Sequence, residues 1–187
     1  MRGGGLRAAI RGHGGNSPAS GARGEPSPRI VVIGIGNAFR GDDGAGLAVV
    51  RAARSLLPAT VEVIELDGEP ARLVESWDGA AAAFVVDAVR SGSSAGSVHR
   101  YDATEERLPR WEPSGGSHSL GAAAAVDLAR SLDRLPAHLI VYGVEGADFD
   151  NGVGLTPAVA SAVPQAATRI AEEAGAVLHR LETRGGR

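Results

Sequence analysis

Along the chain, short unbroken apolar runs alternate with helically spaced stripes. Arg29 to Gly36 is a β-branched apolar run ending in glycines, the pattern of a first strand buried on both faces and parallel to its neighbours. After the loop Asn37 to Gly44, the positions Leu47, Val50, Arg54 and Leu57 have helical spacing until Pro58 closes the segment. Val61, Val63 and Ile64 suggest a second strand, and Asp67-Gly68 a turn. Pro70 to Trp77 reads as a short helix with proline at its first position. Ala82 to Val89 is another continuous apolar strand, ending at Asp87, and Val98 and Tyr101 mark a further strand after a Gly/Ser turn over 91–97. Pro109 to Gly116 is a loop, and an Ala-rich helix should run from Ser119 to about Leu132. Leu139 to Val144 is the next strand. Thr156-Pro157 has the chemistry of a helix start, and the last helix should reach about Leu181. Pro164 lies inside that pattern, so either the helix kinks there or a short turn precedes it. Buried strands alternating with helices predict an α/β three-layer sandwich over 29–182, with no internal repeat and no second domain.

Composition narrows the chemistry. The chain has 187 residues, enough for one substantial core, and only 4% aromatics, so that core is built mainly from Val, Leu, Ile and Ala. Residues 1–28 are rich in Gly, Pro, Ser and Arg and read as a disordered extension, and 183–187 as a flexible tail. Five Arg against one Glu give residues 1–29 a local +4, which leaves about −7 of the net −3 on the rest. Arginines so dispersed form no patch, so no nucleic-acid partner is expected. No cysteine is present, which excludes disulfides, iron–sulfur ligation, thiol catalysis and cysteine-bound zinc. Lysine is also absent, which removes Walker-type lysines and Schiff-base chemistry. No apolar stretch approaches a membrane span, and Arg7 and Arg11 break up the only segment resembling a signal peptide. The expectation is a cytoplasmic protein without membrane contact, and a monomer.

Candidate chemistry begins in Gly34-Ile35-Gly36-Asn37-Ala38-Phe39-Arg40-Gly41-Asp42-Asp43-Gly44. A dinucleotide loop needs G-x-G-x-x-G, but Phe39 stands where the third glycine belongs, and the paired acids would repel a pyrophosphate. The plain alternative is that Asp42 caps the helix that follows. Asp87, at the carboxyl end of a strand, lies on the rim where α/β proteins bind ligands, or else accepts backbone N–H groups in a turn. His118, in a loop running into the Ala-rich helix, is better placed for ligation than His13 in the tail, His99 on an exposed strand, His138 before a strand or His179 near a helix C-terminus. Two carboxylates and an imidazole would make an N/O site suited to nickel or zinc. Separations of 44 and 31 residues do not by themselves show that the three converge.

Four segments in order resemble the maturation peptidases of nickel–iron hydrogenase large subunits: IVVIGIGNAFRGDDGAG at 30–46, FVVDAV at 84–89, GGSHSLG at 115–121, and VYGVEG followed by GLTPAV within 141–159. The resemblance covers about residues 29–182. It implies a twisted, mostly parallel sheet between helices. It also implies an endopeptidase that removes a C-terminal extension from the large-subunit precursor, with nickel presented by that precursor marking the cut. The family's ligand positions fall on Asp43, Asp87 and His118, supported by Gly36, Asn37, Asp42 and Gly44. The ion would polarise the scissile carbonyl or activate water. One departure stands out: where many members have Asp-Gly-Gly-Thr, this chain has Asp67-Gly68-Glu69-Pro70, which bears on the choice of large-subunit partner. A non-catalytic nickel-dependent checkpoint protein is the alternative reading.

Overall fold

A computed structural model describes residues 27–111 and 121–185. Strand β1 (Ile30–Ile35) leads through a 3-10 turn (Gly41–Gly44) into helix α1 (Ala45–Ala53). There follow β2 (Val61–Leu66), α2 (Pro70–Ser76), β3 (Ala82–Val89), β4 (Val98–Asp102), α3 (Gly121–Ser131), β5 (His138–Glu145) and α4 (Pro157–Gly185). The strands form one sheet in the order β2-β1-β3-β5-β4, with β4 antiparallel to β5 and every other pairing parallel. The α/β sandwich expected from the pattern is therefore the fold.

Strand alternation divides the core in two. Ile30, Val32, Phe84, Val86, Ile140 and Tyr142 pack with α1 and α4; Val31, Ile33, Ile35, Val85, Leu139 and Val141 pack with α2 and α3. β1 and β3 are buried at every position, which is why they read as continuous apolar runs rather than alternating ones. Helix α4 presents Val159, Ala166, Ile170, Ala174 and Val177 to the sheet at helical spacing. On the same face the Tyr142 hydroxyl donates to Glu173, which also pairs with Arg100, so one carboxylate ties α4 to β4 and β5.

Several expectations need correction. β3 continues two buried residues beyond Asp87, which pairs with Gly143 of β5 inside the sheet. α1 ends at Ala53 rather than Leu57, whereas α3 ends at Ser131, within one residue of the expected end at the exposed Leu132. α4 passes through Pro164 as one helix and continues to Gly185, so 183–185 are helical. The carbonyl that loses its partner to Pro164 belongs to Ala160, and both residues face solvent, where water can take the bond. His99 is half-buried beside Glu145 rather than exposed. Glu69 acts locally, because its two carboxylate oxygens accept the N–H groups of Ala71 and Arg72 at 3.0 and 2.8 Å and so cap α2 behind Pro70. No helix among the described residues is long and apolar enough to cross a membrane.

Trp77 closes α2 in full burial, with its indole N–H donating to the Arg134 carbonyl at 3.3 Å. Replacing it with Ala should cost about 3–5 kcal/mol, read by urea unfolding.

Candidate functional site

Sheet order fixes where a site can form. From β1 the chain turns outward to β2 and then crosses to β3 on the other side of β1, so the carboxyl ends of β1 and β3 border a crevice at the topological switch. The loop after β1 brings Asp42 and Asp43 to that crevice, β3 contributes Asp87, and the N-terminus of α3 closes over Asp87.

Asp42 is not the cap of α1, because neither the 3-10 turn nor the helix has a side-chain cap. Its fully buried carboxylate reaches across to the loop after β5. Oδ2 accepts the N–H groups of Ala147 and Asp148 at 2.8 and 3.0 Å and the Thr156 hydroxyl at 3.0 Å, while Oδ1 accepts the Thr156 N–H at 2.7 Å. Burial works to raise this carboxyl, but the three backbone donors and the hydroxyl outweigh it and hold it below the ordinary value.

Asp43 is buried as well, with Oδ2 accepting the Asn37 N–H at 3.0 Å. Gly36, Asn37 and Gly44 shape the loop around it. Gly36 has a φ of 138°, and a Cβ there would lie 1.8 Å from the Asp43 carbonyl oxygen. Asn37 turns its side chain to the Phe39 N–H, and Gly44 lies against Ala38.

Asp87 stands differently from Asp42. Burial pushes its carboxyl up, to about 7, and the nearby charge of Asp43 adds to the rise; the N–H groups of Ala122 and Ala88 only partly offset this. Of the two roles open to Asp87 from the sequence, the structure shows the backbone acceptor, with the Ala122 N–H donating to Oδ2 at 3.0 Å, in a position on the rim crevice. Gly121 makes that bond possible: its φ is 60°, and a Cβ there would lie 2.6 Å from Asp87 Oδ2. The structure therefore brings Asp43 and Asp87 together. His118 lies outside the described residues, immediately before α3. Among the described residues no three metal-ligating side chains form a cluster. Two buried acids, one of which is held far from its ordinary pKa, fit a divalent cation as the group that would stabilise their charged forms.

Two further features are not apparent from the sequence. Buried Glu145, at the end of β5, accepts the N–H groups of Ser91 and Gly92 and the Ser91 hydroxyl, clasping the loop after β3. Beside that loop, a cleft of about 380 Å³ is lined by Arg90, Ser91, Gly92, Pro109, Arg110 and Trp111. A buried Glu directly after an apolar run was the available signal, but its partners lie 53 and 54 residues away.

Asp42→Asn should destabilise the fold by about 2 kcal/mol or more, because an amide cannot accept all four donors. A depressed folded-state pKa stabilises above the ordinary aspartate value of 3.8, and that contribution is lost as pH falls below it. Urea midpoints for wild type and variant should therefore differ most near neutrality and converge in acid.

The hydrogenase maturation protease family model matches residues 48–173, well over half of the chain. A hydrogenase expression/formation protein HupD from Thiocapsa roseopersicina is 28% identical over 137 residues, which cover 71% of this chain and 61% of that protein. The delta subunit of coenzyme F420 hydrogenase from Methanothermobacter thermautotrophicus is 28% identical over 162 residues, covering 78% and 94% of the two chains. The hydrogenase maturating endopeptidase HybD from Escherichia coli shares the fold with a TM-score of 0.62 at 25% identity, over 76% of this chain and 89% of that one. With the family match running from within α1 into α4 and the fold shared as well, the chain belongs to the hydrogenase maturation protease family.

Proposed function

We propose that the protein removes the C-terminal extension of a nickel–iron hydrogenase large-subunit precursor by hydrolysing one peptide bond, and that nickel arrives as part of that substrate. The observation that carries this reading is the buried Asp43–Asp87 pair at the switch point, with Asp87 raised by burial and by its acidic neighbour. A divalent ion delivered by the precursor would favour both carboxylates in their charged forms. His118, entering from the segment before α3, would supply a neutral nitrogen ligand. The ion would then polarise the scissile carbonyl or activate water. Asp42 is already occupied by four donors, so in this reading it positions the loop and takes no proton. The enzyme is taken to act in the cytoplasm, as a monomer.

A second reading has its own observation. One relative is named as a hydrogenase subunit rather than a protease, which favours a non-catalytic protein that binds the nickel-loaded precursor as a checkpoint.

Incubation with full-length precursor, with and without nickel, separates the two. The protease reading expects a mass loss at the precursor C-terminus, with many turnovers per enzyme and only when nickel is loaded. Stable binding without mass loss contradicts it and supports the checkpoint. Asp87→Asn and His118→Ala should each lower processing at least about 100-fold with little change in Tm. His138→Ala is the control, because His138 is exposed at the start of β5, at the opposite edge of the sheet. Wild-type cleavage by folded His118→Ala protein would remove that residue from the site.

A further inference from the structure

We propose that Phe39 and Val153 grip apolar side chains of the precursor next to the bond being cut, and so determine which precursor is accepted. This rests on the maturation-protease reading above. Among the described residues, four large apolar side chains are exposed: Phe39 at 72%, Val153 at 85%, Leu56 and Leu132. Leu56 and Leu132 follow the ends of α1 and α3, helices that return the chain to the amino edge of the parallel sheet, away from the site. Phe39 and Val153 are on loops at the carboxyl edge, in the segments that follow β1 and β5.

These two loops are fastened to each other. The Phe39 carbonyl accepts the Gly152 N–H at 2.9 Å, and the Gly152 carbonyl accepts the Gly41 N–H at 3.0 Å, forming a parallel bridge between Arg40 and Gly152. Arg40 also donates to the Phe149 carbonyl at 3.0 Å. Phe39 is joined to the acid pair as well: its N–H donates to Asn37 Oδ1 at 2.9 Å, and the Asn37 N–H donates to Asp43 Oδ2 at 3.0 Å. Two hydrogen bonds therefore separate an exposed aromatic residue from a proposed nickel ligand. Apolar side chains held on a fixed backbone gain nothing from folding while they remain in water, so their surface is available to a partner. A precursor segment anchored by its nickel at Asp43 and Asp87 must leave the crevice over a neighbouring loop, and this bridged pair includes the loop that carries Asp43 itself. The ligand class is an extended peptide with apolar side chains close to its metal-binding residues.

The test measures KM, kcat and Tm for Phe39→Ser, Val153→Ser, the double variant and Phe39→Leu, using nickel-loaded full-length precursor. Each serine variant should raise KM about tenfold with kcat and Tm nearly unchanged, and Phe39→Leu should recover most of the loss. Precursors with apolar residues near the cut changed to Ser should weaken wild type but add little to the double variant. An unchanged KM in the folded double variant, alongside an active wild type, overturns this inference and leaves the protease reading standing. If wild type binds without cleaving, the protease reading fails, and Kd replaces KM in the same comparison. If wild type neither binds nor cleaves, both are overturned.

Discussion

The carboxyl edge of this sheet is organised around the buried carboxylate of Asp42. A charge taken out of water must be met by donors, and here all four come from the segment between β5 and α4. That single requirement brings the loop after β1 against the loop after β5 and fixes the start of α4 at Thr156. It also sets the bridge between Arg40 and Gly152 in place. Asp43, the next residue, is held near enough to Asp87 for its charge to act there. Without the Asp42 contacts, the loop carrying Asp43 would lose four of the hydrogen bonds that fasten it to the segment after β5.

Three more carboxylates show how burial alone does not define a role. Glu145 is as deeply buried as Asp42 and serves a similar purpose, holding the loop after β3 through Ser91 and Gly92. Glu173, on the α4 face, is held below its ordinary pKa: burial opposes the shift, but the bonds from Arg100 and Tyr142 prevail. Asp87 alone is driven upward, because two backbone N–H groups do not offset its desolvation and the charge of Asp43. The same functional group thus fastens the fold at Asp42, Glu145 and Glu173, and at Asp87 is left with little compensation for its burial.

Much of this was legible in the sequence, and the failures have physical causes. The five strands and four helices announce themselves because β1 and β3 are buried throughout and the helices keep one apolar stripe. The rim position of Asp43 and Asp87 follows from their place after or within such strands. The role of Asp42 was hidden, since its donors lie more than 100 residues away and helix capping is the local default for an aspartate in that position. Sheet order and the antiparallel direction of β4 depend on pairings between distant segments that no local pattern encodes. Pro164 left two possibilities open, and a single helix containing it is the one found, since the carbonyl it leaves unpaired belongs to an exposed residue. The capping role of Glu69, whose side chain is engaged by the first turn of α2, was not read from the sequence.

The crevice between β1 and β3 is proposed to take hold of a nickel ion carried by another protein. Nickel K-edge X-ray absorption tests this directly, comparing nickel-loaded precursor alone with the same precursor bound to this protein under conditions too cold or too brief for turnover. Binding should add oxygen and nitrogen scatterers to the nickel shell, including an imidazole signal that His118→Ala abolishes. An unchanged nickel shell in a complex that goes on to cleave would contradict the proposed role of the crevice.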